Sequence, residues 1–140
     1  MTVDSSALLA VLFSEPGYLD LVDQMLEAEV LRIGAPTLVE TSLVFESRRD
    51  RAGRNDKARA RRDDVHELVK ELGITVVPFG EPEWHRATEA FARYGRGRHK
   101  AGLNFGDCLS YATASVAGDS LLYVGNDFAH TDLKLLTGTK

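Results

Sequence analysis

The sequence predicts an α/β domain with a largely parallel central sheet and helices on both faces. Short β-type segments alternate along the chain with segments in which apolar residues recur at helical spacing. This alternation is typical of parallel strands joined by crossover helices. A chain of 140 residues is a usual size for one domain, and no repeat, low-complexity segment or long linker divides it. We therefore expect residues 1–140 to form a single domain.

Two strand–helix transitions open the chain. The β-type pair Thr2–Val3 ends at an acid, Asp4, and a helical pattern follows over residues 7–13. A Pro-Gly pair breaks this helix, and the apolar spacing predicts a second helix over residues 18–28. The brief apolar segment 30–33 predicts the next strand. Asp4 is thereby placed at the carboxyl end of the first strand.

The third helix is predicted to begin at a capping box. Thr37 is followed three residues later by Glu40, the spacing at which the two side chains satisfy free N–H groups of the first turn. An Arg-rich stretch then ends this helix. Asp56 is the expected cap of another helix, which runs through Leu72 and stops at Gly73.

Three more strands are predicted in the second half of the chain. The β-branched segment 74–78 is bounded by Gly and Pro, the segment 121–124 is short and apolar, and residues 133–136 are expected at an edge. Helices are predicted between them, over residues 81–94 and from Asp107 onward.

Carboxylates recur at the junctions between these elements. In a parallel sheet the loops after the strands gather at one edge, where ligands bind. Each acid has a local explanation as a helix cap, but acids packed together raise one another's pKa. The acids expected at this edge are Asp4, Glu40, Asp107 and Asp127, with the Ser6 hydroxyl and the Asn104 amide as supporting groups.

The joint placement of these acids predicts a divalent-metal site. A hard cation relieves the repulsion, and oxygen ligands without His or Cys favour Mg²⁺, with Mn²⁺ as a substitute. We expect Asp4 and Asp107 to be the direct ligands, and Glu40 and Asp127 to act directly or through water. With one ion or two, such a site activates water and stabilises the charge that develops on a phosphodiester.

Positive charge is concentrated in two stretches, although the net charge is −4. Residues 48–62 contain eight of the 17 Lys and Arg residues. The second stretch contains Arg98, His99 and Lys100, which we expect to contact the phosphates of a nucleic-acid backbone. The acidic balance argues against a general nucleic-acid coat protein.

The remaining composition indicates a reducing compartment. A single cysteine, Cys108, excludes an internal disulfide and is expected to be a buried structural thiol. No apolar run approaches the roughly 18–20 residues of a membrane span, and the first residues have no basic signal region. These features predict a cytoplasmic protein with no membrane contact.

Four segments, in order, resemble the PIN-domain ribonucleases and, more narrowly, the VapC toxins of bacterial type II toxin–antitoxin systems. They are residues 3–8, 35–40, 102–108 and 125–132, and the Asn-Phe-Gly-Asp-Cys run within 102–108 is the most specific. The resemblance implies a PIN-like three-layer α/β/α domain and an Mg²⁺-dependent endoribonuclease that cuts tRNA or ribosomal RNA. It also implies a homodimer and a cognate VapB-type antitoxin that inserts a peptide into the active-site groove.

Carried over by position, the resemblance gives the same acid set of Asp4, Glu40, Asp107 and Asp127. Ser6 and Asn104 again support it. One departure concerns the fourth acid, which many PIN domains place earlier, where this chain has Gly125 and Asn126. Asp132 therefore competes with Asp127 for that role.

Two other functions remain open at this point. An Mg²⁺-dependent aspartate phosphatase-like enzyme would need a second Asp near the first strand and a Lys on a late strand. This chain has Asp4-Ser5-Ser6 there and no Lys within 121–124. The second alternative is a catalytically idle PIN-like binding module whose acids only cap helices. Such a module would gain no stability from Mg²⁺, whereas a metal site confined to the folded state would.

Overall fold

Five short strands form one parallel sheet in the computed structural model, which describes residues 1–51 and 64–137. The strands are β1 (Thr2–Val3), β2 (Arg32–Gly34), β3 (Thr75–Val77), β4 (Leu121–Tyr123) and β5 (Leu135–Thr137). Their order across the sheet is β3-β2-β1-β4-β5, and every neighbouring pair is parallel. β5 lies at an edge, as predicted for the end of the chain.

Helices lie between the strands from β1 to β4, because a chain must cross back over the sheet between parallel neighbours, while residues 124–134 lead from β4 to β5 without a helix. The helices are α1 (Ser5–Leu12), α2 (Tyr18–Glu27), α3 (Ala35–Arg51), α4 (Asp64–Glu71), α5 (Glu81–Tyr94) and α6 (Phe105–Ala117). The predicted α/β fold with a mainly parallel sheet is therefore confirmed.

The sheet separates two hydrophobic cores, and β4 contributes to both. Leu122 packs with Leu8 and other residues of α1 and α2 in one core. Its neighbours Leu121 and Tyr123 pack with Tyr111 and other residues of α5 and α6 in the other core. Successive side chains of a strand point to opposite faces, so these memberships place helices on both sides of the sheet. The three-layer α/β/α arrangement is the one expected.

The predicted capping box at Thr37 and Glu40 is wrong. α3 begins at Ala35, directly after β2, and Pro36 occupies its first turn, a position that suits proline because the first N–H groups of a helix need no helical partner. Thr37 is consequently inside the helix, where it is buried with its hydroxyl 3.5 Å from that of Ser110. Glu40 lies in the second turn of α3, not the first.

The other predicted boundaries agree with the structure to within a few residues wherever it describes them. Gly73 follows α4 in the left-handed region (φ 63°), which glycine adopts without steric cost. The predicted cap at Asp56 and most of the Arg-rich stretch fall in residues 52–63, outside the described residues. Across residues 1–51 and 64–137, none of the helices has both the length and the apolar character needed to cross a membrane.

The amino ends of the central strands are held by one carboxylate. Asp119, just before β4, accepts hydrogen bonds from the Thr2 hydroxyl at 2.8 Å and from the Arg32 guanidinium at 2.7 and 2.9 Å. The side chains of Asp119 and Arg32 are 10% and 30% exposed. This partly buried ion pair joins β1, β2 and the turn into β4, at the edge opposite the predicted acid site.

We expect Asp119→Ala to lower the free energy of unfolding by about 1–3 kcal/mol, because it leaves the buried Thr2 hydroxyl and the Arg32 guanidinium without their acceptor. Urea denaturation followed by circular dichroism measures the change. Glu27→Ala, at an exposed position on α2, is the control and should stay within about 0.5 kcal/mol of wild type. Equal urea midpoints for Asp119→Ala and wild type would contradict the prediction.

Candidate active site

Asp4 is fixed by hydroxyl groups from two helices. It is the N-cap of α1 and is buried, and its Oδ2 accepts from the Ser6 N–H at 3.0 Å and the Ser6 hydroxyl at 2.5 Å. Its Oδ1 accepts from the hydroxyl of Ser110, a buried residue of α6, at 2.5 Å. The Ser6 oxygen in turn accepts from the Val124 N–H at 3.0 Å. Ser6 was expected beside Asp4; Ser110 was not.

Asp107 lies in the first turn of α6 as predicted, in a capping box with Asn104. The Asn104 side-chain oxygen accepts from the Asp107 N–H at 2.9 Å, and Asp107 Oδ2 accepts from the Asn104 N–H at 3.0 Å. Asp107 is buried, whereas Asn104 is exposed. The local contribution of Asn104 is therefore to fix the start of α6 and the orientation of the Asp107 carboxylate.

Glu40 reaches the same place from α3. Its Oε1 accepts from the Ser5 hydroxyl at 2.8 Å, a contact that the sequence did not predict. Its carboxylate also packs against Gly106, the residue before Asp107. A Cβ atom at Gly106 would collide with Glu40 Oε2 and lie 3.0 Å from its carboxyl carbon. The absence of a side chain at Gly106 thus makes room for the Glu40 carboxylate next to Asp107.

The two candidates for the fourth acid occupy different environments. Asp132 accepts from the Tyr111 hydroxyl at 2.5 Å and lies 3.6 Å from the Arg93 guanidinium. Asp127 is exposed in the loop after β4, and its charge acts on Asp107. The structure therefore brings Asp127 to the other acids and pairs Asp132 with Tyr111.

The neighbouring acids affect the pKa of Asp107. The pKa of Asp107 is raised from its ordinary value of 3.8 to about 6, mainly by burial, while the hydrogen bond from the Asn104 backbone opposes the rise. The negative charges of Asp127, Asp4 and Glu40 contribute the rest of this rise. The four predicted acids thus converge on one place.

The donor set suits a hard cation. In the described parts of the chain, no three His, Cys, Asp or Glu side chains are already arranged as ligands of one ion. Instead, serine and backbone hydrogen bonds hold Asp4, Glu40 and Asp107 as neighbours. An oxygen-only set of mutually repelling carboxylates favours Mg²⁺ or Mn²⁺ over softer metals. The residues present therefore fit the predicted divalent cation.

The predicted phosphate-binding residues occupy the loop between α5 and α6. The Arg98 guanidinium stacks 5.4 Å from the Phe91 ring centroid, and Lys100 is exposed. His99 Nδ1 accepts from the Ala101 N–H at 3.0 Å, and its ring packs edge-on against Tyr94. His99 thus shapes the loop, while Arg98 and Lys100 present their charge to solvent.

Comparison with known proteins shows the family of this chain. The family model for the PIN domain matches residues 1–134. The chain belongs to the PIN domain family. Its curated relatives include VapC ribonuclease Mb0625 of Mycobacterium bovis and ribonuclease VapC28 of Mycobacterium tuberculosis. Each is 40% identical over 135 residues, which cover 96% of this chain and 96% of the relative. The resemblance to PIN-domain proteins of the VapC type is confirmed.

Solved structures share the fold at much lower sequence identity. VapBC2 from Rickettsia felis, bound to a DNA fragment from its promoter, aligns with a TM-score of 0.71 and 11% identity over 99% of this chain and 98% of the other. A toxin–antitoxin complex from Klebsiella pneumoniae aligns with a TM-score of 0.68 and 13% identity over 97% and 95% of the two chains. These alignments show that the PIN fold extends over nearly the whole chain.

The raised pKa of Asp107 predicts how stability depends on pH without metal. An acid whose pKa rises from 3.8 to about 6 on folding contributes stability below pH 4 that is lost as the pH rises through 6. Asp107→Asn has no carboxyl group to ionise at this position, so its stability does not fall for this reason as the pH rises. Relative to wild type, we expect the variant to gain on the order of 1–3 kcal/mol between pH 4 and pH 7. Urea denaturation in EDTA across this range measures the gain. A constant difference between the two proteins would contradict the prediction.

Proposed function

We propose that this chain is the toxin of a type II VapBC toxin–antitoxin system, an Mg²⁺-dependent endoribonuclease that cleaves cellular tRNA or ribosomal RNA. The observation that carries the proposal is the convergence of Asp127, Asp4 and Glu40 on Asp107 at the carboxyl edge of a PIN-family sheet. Relatives at 40% identity are named VapC ribonucleases. The proposal places the toxin in the cytoplasm with its RNA, and a cognate VapB-type antitoxin neutralises it there.

In this proposal Asp4 and Asp107 hold Mg²⁺, for which Mn²⁺ can substitute, and Glu40 and Asp127 complete the site directly or through water. When bound, the ion offsets the charge of the acids and of the phosphodiester and activates the attacking water. The chain itself fixes the carboxylates in position before the ion binds. Ser6 and Ser110 fix both oxygens of Asp4, which lowers the entropy that the side chain must lose when its ligand binds.

The proposal assigns RNA binding to the loop between α5 and α6. Arg98 and Lys100 are exposed and positively charged, as phosphate contacts require. His99 contributes through the loop conformation that it stabilises by contacts with Ala101 and Tyr94. This division of roles predicts that RNA affinity depends on salt concentration, because phosphate contacts release counterions.

Local contacts weigh against the two alternative functions. In a phosphatase-like site a second Asp would stand near Asp4, but here Ser6 occupies that place and donates its hydroxyl to Asp4. An idle module explains Asp4 and Asp107, since both cap helices. It does not explain Glu40, which lies within α3 yet reaches Ser5 and Gly106 beside Asp107. The metal-dependent nuclease accounts for all three acids.

We expect the antitoxin-free chain to cut total cellular RNA into discrete fragments with Mg²⁺ and not with EDTA. Asp107→Asn should reduce the cleavage rate at least ~100-fold, the cost of losing a principal electrostatic group. Asp23→Asn, which alters an exposed acid on α2, is the matched control and should cut like wild type. Cleavage by Asp107→Asn at the wild-type rate would refute the proposed site, and no cleavage of tRNA or ribosomal RNA by wild type would favour the idle module.

Gly106→Ala tests the position of Glu40 while preserving all four acids. Its methyl group takes the space of the Glu40 carboxylate, which is flexible enough to move without unfolding α6. We expect RNA cleavage to fall at least about 10-fold because one acid is displaced, with the melting temperature within a few degrees of wild type because alanine favours a helix.

The matched control for Gly106→Ala is Gly80→Ala. A Cβ atom at Gly80 meets only ordinary contacts, 3.6 Å from Glu83 and 3.9 Å from Pro82. Cleavage by this control should equal that of wild type. If Gly106→Ala also retains full activity, the position of Glu40 is not needed for catalysis.

A further inference from the structure

The loop between β4 and β5 carries Asp127 to the acid site without a helix or strand of its own. It spans residues 124–134, and Asp127 is exposed within it, where its charge acts on Asp107. Two neighbouring carboxylates repel each other, and this repulsion pushes the loop away from α6. The place of Asp127 therefore depends on contacts that hold the loop elsewhere.

Two contacts hold the loop on either side of Asp127. The Val124 N–H donates to the Ser6 hydroxyl oxygen at 3.0 Å, which fixes the exit from β4. Phe128 is 1% exposed in the core that α5 and α6 form with the sheet, and its ring packs edge-on against Tyr123 with the centroids 5.2 Å apart. These contacts fix where the loop starts and where it returns to the core.

A third contact joins the loop directly to α6. The Tyr111 hydroxyl donates to Asp132 Oδ1 at 2.5 Å, and a hydrogen bond to a charged acceptor is among the stronger ones. Burial of Tyr111 and this hydrogen bond raise its pKa, so the hydroxyl keeps its proton at neutral pH. The Thr131 N–H and hydroxyl both donate to the Phe128 carbonyl, at 3.1 and 2.8 Å. A hydrogen-bonded turn therefore links Asp132 to the segment that carries Asp127.

The Arg93 guanidinium adds less to the hold on Asp132. It lies 3.6 Å from Asp132 Oδ2, and the two side chains are 66% and 51% exposed. An ion pair this exposed contributes little, because water and salt screen it. The Tyr111 hydroxyl is therefore the principal group that holds Asp132.

The spacing of the acids and of Tyr111 matches between α6 and the loop. Asp107 and Tyr111 are four residues apart on α6 and so lie on one face, one turn from each other. Asp127 and Asp132 are five residues apart in the loop. α6 thus meets the loop twice, once where Asp107 and Asp127 repel each other and once where Tyr111 bonds to Asp132. The favourable contact at the second place opposes the repulsion at the first.

We propose that Tyr111 is a positioning residue for Asp127: its hydroxyl holds Asp132, and Asp132 holds the loop that places Asp127 beside Asp107. Asp132, the competitor for the role of fourth acid, then anchors the loop and does not bind the metal ion. The inference rests on the proposed function, since the position of Asp127 matters only if the acids bind a cation. It adds Tyr111 to the site, although Tyr111 itself touches neither the ion nor the RNA.

Tyr111→Phe tests this role because it removes the hydroxyl and keeps the ring in the core. Mn²⁺, added alone to the antitoxin-free full chain and followed by electron paramagnetic resonance, reports metal binding without RNA or cleavage. We expect the dissociation constant for Mn²⁺ to rise at least about 10-fold, as it does when a group that orients a metal ligand is lost.

Two further variants accompany Tyr111→Phe. Tyr18→Phe is the matched control: it makes the same chemical change on α2, across the sheet from α6, and should bind Mn²⁺ like wild type. Asp132→Ala removes the acceptor at a half-exposed position, where the fold tolerates the change. It should match Tyr111→Phe to within about twofold, because both break one contact. Circular dichroism checks that the variants are folded.

A double-mutant cycle separates positioning from general stability. Asp127→Asn changes the group through which Tyr111 acts, so in that background Tyr111→Phe should raise the dissociation constant for Mn²⁺ by less than about twofold. Amide hydrogen exchange in EDTA measures the loop contact itself. Tyr111→Phe should speed exchange of the Thr131 N–H at least about 10-fold through local opening. The Asp4 N–H, which donates to the Leu122 carbonyl in the sheet, should exchange at the wild-type rate.

Wild-type affinity for Mn²⁺ in Tyr111→Phe and Asp132→Ala would overturn the inference, as would unchanged exchange of the Thr131 N–H. The same loss of affinity in both backgrounds of the cycle would also overturn it, since Tyr111 would then act on the whole fold and not through Asp127. A much larger loss for Asp132→Ala than for Tyr111→Phe would make Asp132 a metal ligand and overturn it as well.

Failure of this inference is distinguishable from failure of the proposed function. A wild-type chain that binds Mn²⁺ and cuts RNA, with variants that do not behave as expected, refutes the role of Tyr111 alone. A wild-type chain that binds no Mn²⁺ refutes the proposed metal site and the role of Tyr111 with it.

Discussion

Hydrogen bonds from serine hydroxyls to Asp4 hold the candidate site together. Asp4 follows β1 and Ser6 is in α1. Ser110 is in α6, 106 residues after Asp4. Both carboxylate oxygens are thus occupied, one by each helix. Since α6 also carries Asp107, the Asp4–Ser110 contact sets the separation of the two principal acids. The rest of the site is arranged around this pair: Glu40 fits against Gly106, and Asp127 approaches from the loop after β4.

The same arrangement holds like charges together in a protein without bound metal. Burial and three neighbouring carboxylates raise the pKa of Asp107, so the folded state is less stable at neutral pH than its hydrophobic packing alone would make it. Capping interactions at Asp4 and Asp107 offset part of this cost. At the opposite edge, the contacts of Asp119 with Thr2 and Arg32 stabilise the central strands without contact with the acids.

Sequence reasoning located the acids because local patterns specify their positions. In a parallel sheet, a residue between a strand and the helix that follows it lies at the carboxyl edge of the sheet. This rule was sufficient to predict the positions of Asp4 and Asp107. Partners that come from distant segments were not predictable, since no local pattern links Ser110 to Asp4 or Ser5 to Glu40. Spacing favoured Asp127 as the fourth acid but left Asp132 as its competitor. Contacts between distant segments distinguish them, since Asp132 accepts from Tyr111 while the charge of Asp127 acts on Asp107. At α3 the Thr37–Glu40 spacing gave the wrong helix start because Pro36 and the direct exit from β2 determine it.

The central place of β1 in the sheet determines how late during synthesis the acid site can form. β1 leaves the ribosome before the other described strands, yet one of its two neighbours is β4, whose residues follow more than a hundred positions later. Pairing between such distant segments is slow, since a long loop must close first. Neither Ser110 nor Asp107 can approach Asp4 until α6 has been synthesised, and Asp127 emerges later still. A nascent chain therefore lacks the assembled acid site for most of its synthesis, and any chemistry that depends on these acids begins only when most of the chain has been made.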